Sequence, residues 1–183
     1  MITTVRDLIT IVESHEKGDL YLAKLPYKKN DLHPIMSEDT INYHYGKLAR
    51  GYVDRYNAGE GDPHFNESGA FLHNIFFTQL RAPKVGNKPV EATATLINKK
   101  YGSFDKFKEA FAKEAMAIQG SGWVYMSKNG DIKTIKNHAI RQDIALLVDW
   151  WEHAWALDYQ ADKAKYLNNI WRIIDWSVVN QRV

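Results

Sequence analysis

Residues 149–155 read Asp149-Trp150-Trp151-Glu152-His153-Ala154-Trp155. Three tryptophans here surround an aspartate and a histidine spaced i and i+4. A helix beginning at Asp149 would put both polar groups on one face, aimed at one point. A carboxylate oxygen beside an imidazole nitrogen suits iron, manganese or zinc. Indoles around such a point keep it dry, which strengthens its electrostatics and tunes a redox potential. Alone, the pair reads as an ion pair on an ordinary helix face. Its meaning depends on whether other ligands join it, and two upstream histidines, His44 and His73, are the candidates.

Before them, residues 3–17 place Val5, Leu8, Ile9 and Val12 at helical spacing, with Gly18 as a stop and His15 solvated near the end. We expect a short amphipathic helix in an N-terminal extension over 1–24. A helical hairpin is expected over 25–82. Ser37-Glu38-Asp39-Thr40 supplies a cap and an acidic first turn, and the helix carries His44 and Tyr52, eight residues or about two turns apart. On this helix alone His44 reads as a core histidine satisfied by one hydrogen bond. Residues 57–66 read as a loop. A second, mostly apolar helix over about Glu67 to Leu80 holds His73, which needs a partner because an unpaired buried polar group costs about 1–3 kcal/mol. Antiparallel helices joined by a short loop can each turn a histidine inward onto one metal.

Pro83, Gly86 and Pro89 mark a boundary, and a second domain is expected over 90–183. It holds a helix over 90–101 and another capped by Ser103. Strands follow at Val124-Tyr125-Met126, Ile132 to His138 and Ala145 to Trp151, the first two joined by an Asn129-Gly130 turn. A closing helix is expected over 163–180. The fold class is therefore α+β: an N-terminal antiparallel helical hairpin, then helices around a small three-stranded antiparallel sheet.

Apolar residues make up 45% of the 183 and aromatics 13%, enough for a sizeable core. A net charge of +2 gives no reason to expect nucleic acid or an acidic membrane as partner. There is no cysteine, so thiolate metal sites and a cysteine nucleophile are excluded. No signal peptide and no membrane-spanning run is read. A soluble cytoplasmic protein is expected.

Set side by side, Leu25-Pro26-Tyr27, Tyr43-His44-Tyr45-Gly46-Lys47, Gly120-Ser121-Gly122-Trp123 and Asp149-Trp150-Trp151-Glu152-His153-Ala154 resemble the iron/manganese superoxide dismutase family. The resemblance runs from about residue 25 to the C-terminus. It implies one Fe or Mn per chain, held by His44, His73, Asp149 and His153. It implies ping-pong redox cycling that turns superoxide into oxygen and hydrogen peroxide. By the same resemblance Tyr52 matches the gateway tyrosine, and Trp123 and Trp151 match the aromatic wall. His138 aligns where many members place a glutamine, with Gly69 as its counterpart. Glu152 matches a glutamate that reaches across a homodimer to the other subunit's ligand histidine, here His153.

The chain departs from that pattern in several places. Leu48 and Ala156 stand where the family commonly has a histidine and a tyrosine that meet across the dimer at the channel mouth, and Trp155 could fill the space. The interval from His44 to His73 is shorter than in the family, the N-terminal helix is an addition, and Leu72 replaces a usual asparagine. Two rival classes follow: a non-enzymatic or low-activity relative, favoured by Leu48 and Ala156, and a zinc hydrolase, for which no His-Glu-x-x-His helix is found. Lys47, Arg50, Arg55 and Arg81 offer a basic rim for an anionic substrate.

Overall fold

The computed structural model describes residues 19–183. The helix expected over 3–17, with His15, lies outside the described residues.

The hairpin begins where Ser37 accepts a hydrogen bond from Thr40 N (3.1 Å), starting α1 (Glu38–Tyr43) with Glu38 and Asp39 in its first turn. α1 does not continue regularly. It widens into a π-helical segment, His44–Ala49, before α2 (Arg50–Asn57). The i→i+5 ladder changes the angular phase along the helix, so His44 and Tyr52 are not simply two α-turns apart, although both are buried. α3 (Pro63–Thr78) starts earlier than expected because Asp62 caps Phe65 N at 2.7 Å and Pro63 occupies the first turn. Residues 68–77 of α3 are buried without interruption. A helix covered on all sides must satisfy its polar side chains internally, and His73 is one of them.

The second half opens with α4 (Glu91–Tyr101) and α5 (Phe104–Ala117), the latter capped by Ser103. β1 (Gly122–Ser127), β2 (Ile132–Lys136) and β3 (Ile144–Asp149) form an antiparallel sheet in the order β2-β1-β3. Gly130, with φ of 82°, makes the turn between β1 and β2. β2 stops at Lys136 rather than reaching His138, because Asn137 adopts a left-handed conformation (φ 53°). The register sets Trp123 opposite Asp149.

After a 3-10 turn (Glu152–Ala154) and the short α6 (Ala156–Tyr159), the expected single closing helix is two. α7 (Lys163–Ile170) passes through a 3-10 turn (Trp171–Ile173), and α8 (Trp176–Arg182) follows. The break has a cause. Ile174 bridges to Leu80, Arg81 N donates to Ile173 O (2.8 Å), and Asp175 N donates to Gln79 O (2.7 Å). Pairing with the chain leaving α3 draws these backbone groups out of the helical ladder. The result is the expected α+β arrangement, and one apolar core runs through both parts: Leu72 and Phe76 of α3, Phe111 of α5, Val124 of β1 and Val148 of β3.

The two ends of this arrangement are tied at α1. Asp158 Oδ2 accepts from Ser37 N (2.9 Å) and from Thr40 Oγ1 (2.8 Å), and Tyr159 OH donates to Ile35 O (2.7 Å). Asp158→Ala should therefore lower stability by about 1–2 kcal/mol, seen as a lower urea midpoint at unchanged slope. An unmoved midpoint would mean that water replaces the carboxylate at no cost.

Candidate metal centre

Four side chains from four different elements meet in the core. His44 opens the π-helical segment, His73 sits in mid-α3, Asp149 ends β3, and His153 lies in the 3-10 turn. Each offers one ligand atom, and these atoms all lie within 4.8 Å of one another. Asp149 Oδ2 is the common neighbour, at 2.9 Å from His44 Nε2, 3.5 Å from His73 Nε2 and 3.2 Å from His153 Nε2. The aspartate and histidine do not share a helix face as expected. The end of a strand and a tight 3-10 turn bring them together instead. Trp151 N donates to Asp149 Oδ1 (2.8 Å), which engages the other carboxylate oxygen, and Tyr166 OH donates to Asp149 O (2.9 Å).

The protonation states follow from burial and from the remaining hydrogen bonds. Burial lowers the pKa of His44 and lowers that of His73 further, so both are neutral. Burial alone would raise Asp149, but the adjacent imidazoles of His153 and His44 outweigh it and hold the carboxyl below the usual carboxylate range. His73 Nδ1 lies 2.6 Å from Gly69 O. A carbonyl only accepts, so Nδ1 carries the proton and Nε2 keeps its lone pair. That nitrogen, and both nitrogens of His44, are buried without a hydrogen bond among the described residues. Leaving such groups unpaired costs about 1–3 kcal/mol each. Imidazole nitrogens and one anionic oxygen converging on a dry point, with no thiolate, form a donor set that fits a single iron or manganese ion.

A second layer surrounds the cluster. Trp123 Nε1 donates to His138 Nδ1 (3.1 Å), and His138 Nε2 lies 2.8 Å from Tyr52 OH. An indole N–H can only donate, so Nδ1 of His138 must accept. Neutral His138 therefore carries its proton on Nε2 and donates to the Tyr52 oxygen. The phenol's own proton remains available to another acceptor. Burial lowers His138 to about 4 and raises Tyr52 to about 12, so this arrangement holds across the neutral range. Trp151 stacks on His138 (4.5 Å, 15°) and also on His153 (5.5 Å, 20°), and its indole N–H donates to Asn137 O (3.2 Å).

Tyr52 reaches this position because Gly69 has no side chain: a Cβ there would lie 2.7 Å from the Tyr52 ring. Phe65, which the sequence assigned to a loop, packs 4.8 Å from His138 and 5.8 Å from Tyr52. The signal that could have found it is Asp62-Pro63, a helix start. Arg55, alone of the expected basic rim, lies over the Tyr52 ring at 5.0 Å. Glu152 is exposed. Leu48 and Ala156 are half-buried.

Two family profiles match the chain. "Iron/manganese superoxide dismutases, alpha-hairpin domain" covers residues 19–63, and "Iron/manganese superoxide dismutases, C-terminal domain" covers residues 89–182. Among curated proteins, "Superoxide dismutase [Fe]" of Bacteroides fragilis is 33% identical, over 88% of this chain and 98% of its own. "Superoxide dismutase [Fe]" of Sulfolobus acidocaldarius is 35% identical, over 87% and 91%. "Superoxide dismutase [Mn/Fe]" of Porphyromonas gingivalis is 35% identical, over 88% and 97%.

The hydrogen bonds around His138 lead to a titration test. A histidine whose folded pKa is depressed favours the folded state fully above its unfolded value near 6.5, and that contribution is lost as pH falls toward about 4. Nitrogen-15 NMR should find His138 neutral, with the proton on Nε2, at pH 6. A ring protonated at both nitrogens at that pH would contradict the donor assignment.

Proposed function

The chain belongs to the iron/manganese superoxide dismutase family, and from that premise we propose that His44, His73, Asp149 and His153 hold its single Fe or Mn. The activity is the dismutation of superoxide to oxygen and hydrogen peroxide. The observation that carries the ligand assignment is the set of buried, unpaired imidazole nitrogens gathered around one carboxylate oxygen. When bound, the ion supplies a one-electron couple, so that one superoxide is oxidised to oxygen and a second, with two protons, is reduced to hydrogen peroxide.

The chain's own residues do the rest. Asp149 contributes the negative charge that balances a cation in a buried place. Gly69 O holds the proton of His73 on Nδ1 and so leaves Nε2 free to bind. Trp123, His138 and Tyr52 form a line of donors that leaves the Tyr52 O–H able to donate toward the reacting oxygen species. Trp151 stacks against that line and Phe65 packs at an angle to it, covering it with apolar surface. With Leu48 and Ala156 in place of a polar pair at the channel mouth, proton handling falls to Tyr52, with His138 behind it. Arg55, over the Tyr52 ring, favours approach of an anion.

We further assign residues 25–82 to a hairpin domain and residues 90–183 to a C-terminal domain. We also assign the chain to a homodimer in which Glu152 meets the partner's copy of His153. Two observations support the dimer: Glu152 is exposed, and among the described residues no hydrogen bond involves His153 Nδ1. No helix of the described residues is long and apolar enough to cross a membrane. Separately, the near-neutral charge favours our reading of a cytoplasmic protein without nucleic-acid or membrane partners.

Metal analysis of natively expressed protein, paired with a dismutation assay, tests this reading. Iron or manganese near one per chain with activity is expected, and zinc or no metal would defeat it. His73→Ala should lose both metal and activity; full occupancy in that variant would remove His73 from the ligand set. Glu152→Ala should sediment as a monomer, and an unchanged sedimentation profile would argue for a dimer built elsewhere.

A further inference from the structure

β3 carries Asp149 and lies at the edge of the sheet, since the strand order is β2-β1-β3. The outward backbone groups of an edge strand need partners, and here the strand is buried throughout, so water does not supply them. Side chains do so at alternate residues. Arg182 Nη1 donates to Ala145 O (3.3 Å), and Tyr166 OH donates to Asp149 O (2.9 Å). Between them Leu147 is engaged at both backbone groups by one side chain. Leu147 N donates to Gln79 Oε1 (3.1 Å), and Gln79 Nε2 donates to Leu147 O. The amide of Gln79 acts as one residue of a missing neighbouring strand.

Gln79 is fully buried and forms the C-cap of α3, the helix that carries His73. Its Oε1 also accepts from Arg182 Nη1 (3.3 Å), while Arg182 Nη2 reaches back to Ile75 O in α3 (3.4 Å). Its own carbonyl accepts from Asp175 N (2.7 Å). So one side chain joins the helix bearing His73 to the strand bearing Asp149, two residues before that aspartate in register. Metal ligands must sit within about 0.2 Å of their preferred distances, and packed apolar contacts alone allow more slip than a pair of opposed hydrogen bonds.

We infer that Gln79 is a positioning residue of the metal centre: its paired hydrogen bonds to Leu147 set the separation of His73 from Asp149, and thereby the affinity and electronic symmetry of the bound ion. The inference rests on the ligand assignment made above, and its test separates the two. In the metal-free protein, amide exchange at Leu147 reports the Gln79 contact without any ion. Gln79→Leu removes both hydrogen bonds at similar volume, and Gln79→Asn keeps the amide but shortens its reach, so it serves if the leucine variant does not fold.

Both variants should expose the Leu147 amide to faster exchange, retain iron about tenfold less tightly against a chelator, and change the rhombicity of the ferric EPR signal. Phe107→Leu, in the core contributed by α5, provides a variant that lowers stability without touching Gln79 and should leave the EPR signal as it was. Unchanged Leu147 exchange would overturn the contact. Faster exchange with parental iron affinity and EPR signal would reduce Gln79 to a structural role and overturn the inference. A parent protein that takes neither iron nor manganese would remove the ligand assignment, and this inference with it, while the Leu147 exchange would still show whether the Gln79 contact exists.

Discussion

A carboxylate cannot stay ionised in a protein interior unless something offsets the loss of water. Asp149 is fully buried and stays an anion, and its Oδ2 is the atom on which the imidazoles of His44, His73 and His153 converge. The contacts of His153 and His44 hold the carboxyl ionised, while burial keeps His44 and His73 themselves without formal charge. The cluster is electrostatically incomplete by itself and complete around one cation. Much of the architecture serves to bring that oxygen and those nitrogens together from the π-helical segment, mid-α3, the end of β3 and a 3-10 turn.

A second pattern repeats through the site. Each imidazole with a one-way partner has its useful nitrogen decided by that partner. Gly69 O can only accept, so His73 presents Nε2 as a lone pair. Trp123 Nε1 can only donate, so His138 presents Nε2 as a donor. Identical side chains thus take opposite roles, electron-pair donor in one case and proton donor in the other, by a single hydrogen bond at the far side of the ring. Gly69 contributes twice, since its missing Cβ also makes room for the Tyr52 ring.

The sequence carried the types of the converging residues and the order of most elements, because those depend on local signals: Ser37 and Ser103 as caps, Asn129-Gly130 as a turn, an apolar run ending in Asp149. Features set by contacts between distant segments were not legible. The π-helical widening at His44 has no marker in residue type. The closing helix divides because Ile174 pairs with Leu80, a partner remote in sequence. Asp149 and His153 satisfy helical spacing, yet a strand end followed by a 3-10 turn joins them equally well, and spacing alone cannot separate the two. Nothing in the residue type of Gln79 marks it, and its contact appears only when Leu147 stands beside it. Phe65 was hidden by a misplaced helix start, although Asp62-Pro63 was there to be read.

The histidine at 138 changes what the site's hydrogen bonds can do. A glutamine, as the resemblance leads one to expect at this place, offers two N–H donors and an acceptor oxygen. After accepting from an indole and donating to a phenol it would keep one N–H for a third partner. A neutral imidazole has one acceptor and one donor, and here Trp123 takes the first while Tyr52 takes the second. His138 has no proton left to offer anything bound beside it. Any donor function on that side therefore passes to the O–H of Tyr52, whose oxygen is already accepting from His138 and whose proton burial holds in place to about pH 12. A hydroxyl that accepts a hydrogen bond becomes a stronger donor than one left unpaired, because the incoming proton draws electron density from its oxygen and polarises its own O–H. Residue 138 thus acts at one remove, through Tyr52, and the pair has to be understood as a unit.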